Sequence, residues 1–262
     1  MYKKILFFSV AVLFTAVASA STEFATFQEA HKVGAAAAQA KDFAKMQAVY
    51  AAWRPKAVTD YQKWVCAFNE SKALREMKKY DEALKVVDAY LNPPPPAANK
   101  AGMLFVKGLI FIAKNEPAKA LPLFDEALKI SEFKVYDSMY QQCYSNYIFQ
   151  SFLLKEYEKC IAVADSACKN GVTGVFRENA LVYKAEALFA LKKYDECGKL
   201  LKEALPELKN KYLLHIANYC YAQVLLQGDN EDDAIKYLQE TIKNSPNGWR
   251  AKAAKKTLQE LE

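Results

Sequence analysis

The segment Lys78-Lys79-Tyr80-Asp81-Glu82 returns as Lys192-Lys193-Tyr194-Asp195-Glu196, and a near copy stands at Lys155-Glu156-Tyr157-Glu158-Lys159. Each copy lies between two stretches whose apolar residues recur at helical spacing, so it marks the corner of a repeated helix–turn–helix unit. Units of this size cannot bury an apolar face alone and fold only by stacking on their neighbours. That constrains the chain to a helical array, an architecture used far more for holding other chains than for chemistry. Only eight Gly occur in 262 residues, and no long run alternates apolar and polar residues, so helix is favoured throughout.

Aligning the units on a small residue of the first helix gives Gly34, Ser71, Gly108, Ile148, Ala185 and Ala222, at spacings of 37, 37, 40, 37 and 37 residues. Twelve positions later, in the second helix, come Met46, Ala83, Ala120, Cys160, Cys197 and Ala234. Small side chains at a helix crossing let the backbones approach, and Met46 and Ile148 depart from that rule. Tyr50, Val87, Phe124, Ala164, Leu201 and Leu238 follow four residues on, keeping one helical face apolar. Pro117 stands at a helix start, where its missing N–H costs nothing. The run Pro93-Pro94-Pro95-Pro96 cannot be helical and reads as a stiff corner between units. After Pro246-Asn247-Gly248, the stretch 249–262 reads as a last helix covering the open end.

This pattern resembles the tetratricopeptide repeat (TPR) family, most closely where Leu104, Lys107-Gly108, Phe111, Ala120, Phe124 and Ala127 fall at the signature spacings. The family's period is 34, and the longer period here adds residues between one unit's second helix and the next unit's first. A Sel1-like repeat is the nearest rival by period, but its longer glycine-containing inner turn is missing. The resemblance implies an all-α, right-handed α-solenoid of about six helix–turn–helix repeats with a C-terminal capping helix at 249–262.

The first twenty residues stand outside that array. Lys3 and Lys4 precede an apolar run from Ile5 to Val17, and Ala18-Ser19-Ala20 offers a cleavage site before Ser21, the order of an export signal. The apolar stretch is shorter than the roughly 20 residues of a spanning helix. Residues 1–20 are therefore expected to be a signal peptide and 21–262 a periplasmic or secreted repeat domain without a membrane span. Cleavage removes two lysines, so the net charge of +6 falls by two to +4. No dense basic stripe marks a nucleic-acid surface. The cluster Lys243, Arg250, Lys252, Lys255 and Lys256 suits the closing turns of a helical array.

Catalytic signatures are missing from the sequence. His31 and His215 have no ligand-spaced partners, and there is no phosphate-cradling glycine loop, zinc-type cysteine pair or Gly-x-Ser-x-Gly elbow. No catalytic residue, metal ligand or cofactor is expected. Of the six Cys, Cys143 and Cys168 are best placed for a disulfide, at the same end of one unit; six free thiols packed as small apolar groups are the competing arrangement.

In TPR arrays the first helices line the concave face, so the resemblance places Phe68, Lys72, Phe105, Leu109, Phe149, Phe152 and Tyr219 in the groove. The family's Lys, Asn and Arg set for a C-terminal carboxylate is lacking. Phe68, Phe105, Leu109, Phe149 and Phe152 are expected to form an apolar track for a peptide or amphipathic helix, unless they pack between adjacent first helices. The function expected is a non-catalytic protein–protein interaction scaffold of the bacterial cell envelope. A homo-oligomeric structural module is the second reading, and an envelope polymer hydrolase with inconspicuous carboxylates the third.

Overall fold

A computed structural model describes residues 24–261; the expected signal peptide lies outside the described residues. Among them thirteen α-helices follow one another and no strand forms. Twelve make six consecutive hairpins: α1 (Phe27–Gln39) with α2 (Phe43–Trp53), α3 (Asp60–Glu76) with α4 (Tyr80–Leu91), and α5 (Ala97–Ala113) with α6 (Pro117–Lys129). Then come α7 (Asp137–Leu153) with α8 (Tyr157–Lys169), α9 (Gly174–Ala190) with α10 (Tyr194–Ala204), and α11 (Lys211–Gln227) with α12 (Glu231–Asn244). Helix α13 (Trp249–Leu261) packs on α12 and α11. The array is an all-α solenoid.

Every hairpin turns by the same device. One residue just past the first helix takes a left-handed conformation: Lys41, Lys78, Asn115, Lys155, Lys192 and Asp229, with φ of 57°, 60°, 65°, 61°, 59° and 54°. In all six turns the next N–H reaches back to a carbonyl in the last helical turn, as from Lys79 to Leu74 at 2.8 Å and from Lys193 to Leu188 at 2.9 Å. This satisfies carbonyls that the helix end leaves without partners. Glycine is the usual occupant; a side chain here costs about 1–2 kcal/mol. The repeated pentapeptide is this turn. Its first Lys bends left-handed, its second stands at the N-cap position of the next helix without a side-chain capping bond, and its Asp and Glu sit in that helix's first turn, at the positive end of the dipole.

Within each hairpin both anchor positions are buried. A Cβ at Gly108 would lie 2.3 Å from Cε1 of Phe124, and one at Gly34 would lie 2.6 Å from Cε2 of Tyr50. The two facing positions trade volume along the array: Gly34 with Tyr50, Ser71 with Val87, Gly108 with Phe124, Ala185 and Ala222 with Leu201 and Leu238. Ile148, the exception among the small anchors, is matched by Ala164, the smallest residue in the opposite row. Bulk has changed sides and the helices still close up.

The junctions between hairpins carry the extra length. The four prolines lead in extended backbone from α4 to α5, with Pro96 at φ −49° and ψ 145°. The 40-residue period spends its three additional residues on a 3-10 turn, Ser131–Tyr136. Phe133 of this strap is fully buried, its ring 6.4 Å from Phe105 and 5.8 Å from Tyr140. Tyr136 reaches back a whole unit and stacks on Trp64, with centroids 5.3 Å apart and planes 12° from parallel. Its hydroxyl donates to Asn99 Oδ1 at 2.5 Å, and Asn99 donates in turn to the Tyr90 hydroxyl at 3.0 Å. Gly102 leaves the room for Trp64, since a Cβ there would stand 2.6 Å from Cη2.

All six thiols are free. Free thiols are the arrangement favoured over a Cys143–Cys168 bond: Cys143 is buried with its Sγ 3.9 Å from the Phe124 carbonyl, while Cys168, alone of the six, is exposed. The closest approach among thiols joins α10 to α11, where Cys197 and Cys220 lie 3.7 Å apart, Sγ to Sγ.

Candidate functional site

Successive first helices touch one another, α3 with α5, α5 with α7, α7 with α9, α9 with α11 and α11 with α13, whereas the second helices make no comparable contact. An array held closer on one side curves toward it, so the first helices line the concave face.

The expected groove residues meet different fates on that face. Phe105 is 2% exposed, its ring 5.9 Å from Phe124 and 6.4 Å from Phe133, so the strap covers it and it belongs to the core rather than the groove. Phe68 is half-buried beside Trp64 at 5.2 Å, the ring on which the same strap's Tyr136 stacks. Leu109 is half-buried on the central core, and Lys72 is exposed. Phe149 and Phe152 gather around the ring of Tyr183, at 5.2 Å and 5.4 Å, and stay partly open. Tyr219 meets the edge of Trp249 at 5.8 Å, so α13 shares its surface. The apolar track is thus interrupted: strap on one side, open groove in the middle, closing helix on the other.

The open stretch holds a cleft of about 240 Å³ bounded by Ser145, Asn146, Phe149, Asn179, Tyr183 and Tyr212 from α7, α9 and α11. No charged side chain borders it. Asn146 donates to the Gln142 carbonyl one turn back at 2.8 Å, which fixes its amide. Asn179 Oδ1 is buried with no hydrogen-bond partner, a costly state for an amide oxygen unless a donor arrives. Of the residues bordering the cleft only Phe149 belongs to the expected set; Ser145, Asn146, Asn179, Tyr183 and Tyr212 lie outside it. Their signal was weak, because single Asn and Tyr residues on an amphipathic helix look like any solvated position.

No protein-family model matches the sequence, and no curated protein does. Among solved structures, the C-terminal part of a TPR repeat-containing protein from Cytophaga hutchinsonii superposes with a TM-score of 0.63 at 16% identity, covering 87% of this chain and 83% of that one. The apo form of the quorum sensor NprR from B. thuringiensis gives 0.59 at 12% identity, covering 89% and 68%. The fold is a TPR-like solenoid.

At the C-terminal end of this TPR-like solenoid the groove is closed by charge. Arg250, on the first turn of α13, donates to Glu186 Oε2 of α9 at 2.5 Å across 64 residues of sequence, with both side chains nearly buried. Burial pushes the Glu186 carboxyl above its ordinary range, and the Arg250 guanidinium opposes that shift. The Arg250 guanidinium lies 4.5 Å from the ring of its chain neighbour Trp249, a cation–π contact within α13 that orients the guanidinium, while the ion pair to Glu186 ties α13 to α9. His215, 5% exposed, has its pKa lowered by burial and by Arg250. His31 accepts or donates at 2.9 Å with the Tyr50 hydroxyl and sits between hairpin helices. Among the described residues no three His, Cys, Asp or Glu side chains gather to hold a metal, and no helix is long and apolar enough to cross a membrane.

Proposed function

We propose that this TPR-like chain is a non-catalytic scaffold of the cell envelope that holds a segment of a protein partner against its concave face. The observation that carries this reading is the uncharged cleft between α7, α9 and α11, where the buried Asn179 carbonyl oxygen waits for a donor. A peptide N–H supplies such a donor, and Phe149 and Phe152 offer apolar contact beside it. The lack of a cationic clamp favours an internal segment of the partner over its C-terminal carboxylate. Export rests on the order of features in residues 1–20, and processing there gives a mature chain beginning at Ser21, which intact-protein mass spectrometry reads directly.

The binding reading is tested in the native cell with a photo-crosslinking residue at Ser145. A discrete crosslinked protein from this position, and none from Glu240 on a second helix, is the expected result. Labelling that is the same at both positions removes the groove from consideration. Asn179→Leu, which fills the cleft and removes the acceptor, is expected to weaken capture about tenfold, the equivalent of one buried hydrogen bond lost.

A further inference from the structure

Seven large apolar side chains are strongly exposed among the described residues, and six of them lie on one edge of the solenoid. This is the edge where second helices end and first helices begin. Tyr61, Val175, Tyr212 and Trp249 are 62%, 45%, 61% and 63% exposed. Tyr61, Val175 and Tyr212 each stand ten residues before a small anchor, and Trp249 follows Tyr212 by one further period of 37. Val58 and Val135 lie in the junctions of the same edge, while Leu153 alone sits at the opposite one. An apolar residue repeated at an exposed register position is not packing the core, because the core needs the anchors and their neighbours.

Charge follows the same edge. Around the row formed by Val175, Tyr212 and Trp249, the exposed Lys169, Lys209, Lys211 and Lys252 have no carboxylate within ion-pair distance. The flanking acids are already engaged. Glu178 keeps its charge while accepting from the backbone N–H groups of Lys209 and Asn210, whereas Glu207 pairs with Arg177, Glu240 with Lys243, and Glu186 with Arg250, so the edge stays net positive. Lys202 and Glu203, adjacent near the end of α10, cancel. What remains is a row of Val, Tyr and Trp, spaced by the roughly 10 Å between neighbouring helices, set in unpaired positive charge.

We infer that this edge is a peripheral docking surface for an anionic lipid bilayer. Tyr and Trp combine an apolar ring with a polar atom and settle at the headgroup level, and lysines beside them meet anionic headgroups. The partner is lipid rather than an acidic protein because the cations accompany Tyr212 and Trp249, which are 61% and 63% exposed in the first turns of α11 and α13. The edge adjoins the concave groove at Tyr212, which also borders the cleft between α7, α9 and α11, while Val175 and the lysines lie outside that cleft.

The test is sedimentation of the full chain with phosphatidylglycerol-containing vesicles and with neutral phosphatidylcholine vesicles. Two variants accompany it, Tyr212→Ser/Trp249→Ser and Lys209→Glu/Lys211→Glu/Lys252→Glu, with parent and variants sharing one N-terminus so that its contribution cancels. Binding to the anionic vesicles, at least tenfold weaker in each variant and in the neutral vesicles, is expected. Brominated lipid is expected to quench the parent's fluorescence and to quench Trp249→Phe less. Circular dichroism is expected to show all variants folded at the temperature of the assay, since Tyr212, Trp249 and the three lysines are mostly exposed. Equal binding by parent and variants overturns the inference. So does loss in the lysine variant alone, which points to an acidic macromolecule held from solution.

Discussion

A methyl group added at Gly108 has nowhere to go, since its position is 2.3 Å from the Phe124 ring and that ring is fully buried. Gly108→Ala is therefore expected to cost about 1–3 kcal/mol in urea unfolding, and Gly108→Ala/Phe124→Leu to recover part of it. The reversed pair gives the complementary experiment. Ile148→Ala opens a cavity and is expected to cost about 2–4 kcal/mol, while the exchange Ile148→Ala/Ala164→Leu returns the volume to the other helix and costs less. At the inner turns the sign is favourable: Lys78→Gly relieves a left-handed side chain with φ 60° and is expected to stabilise by about 0.5–1 kcal/mol. A loss of stability there would show that Lys78 has a contact worth more than its strain. Much at this scale was legible in the sequence, because the anchors needed only their periodicity to be found. Ile148 looked like a flaw until its small counterpart Ala164 was placed opposite it.

Among the elements, the strap and α13 were the least legible, and for one physical reason: their contacts join residues far apart in sequence. Three extra residues in the fourth spacing were visible, yet nothing in them announced that Phe133 would cover Phe105 or that Tyr136 would reach Trp64. Phe105 was accordingly placed in the groove when it belongs to the core. Phe133→Ala is expected to cost about 3–5 kcal/mol and to leave the Trp64 fluorescence shifted toward that of a wetter ring. The Glu186–Arg250 pair makes a prediction about pH. A carboxyl raised above its ordinary 4.5 in the folded protein binds a proton more tightly there than in the unfolded chain. Its contribution to stability is full below 4.5 and declines as pH rises toward the raised value. Glu186→Gln, which keeps an acceptor for Arg250 without a titration, is expected to remove that decline and to be at least as stable as the parent at pH 7. Arg250→Leu strands the carboxylate and is expected to cost roughly 3 kcal/mol by thermal melting. A Gln variant several degrees less stable at neutral pH would show that the ionised pair, not the neutral acid, is the favoured form.

Over the whole molecule the core is not uniform. One cluster of buried side chains runs from Ala37 to Ile110 and another from Ala101 to Cys220, and they meet in α5. Met103, Val106 and Ile110 face the first, while Ala101, Leu104 and Phe105 face the second. A nearest-neighbour array whose clusters meet at α5 and at Leu91, Tyr136 and Met139 unfolds in parts when one side is weakened. Val87→Ala is expected to expose amides of α1–α4 to hydrogen exchange while those of α7–α12 remain protected; simultaneous loss of protection throughout would show a single cooperative unit. The general architecture was readable because stacking needs only a repeated apolar face. The interruption of the groove was not, because it depends on where a connecting segment lies in space. That interruption sets a direction for whatever occupies the hollow side. A strand or helix laid along it from the C-terminal half meets partly open rings at Phe149 and Phe152 and none at Phe105, which Phe133 covers, so the grip of the hollow falls in its second half.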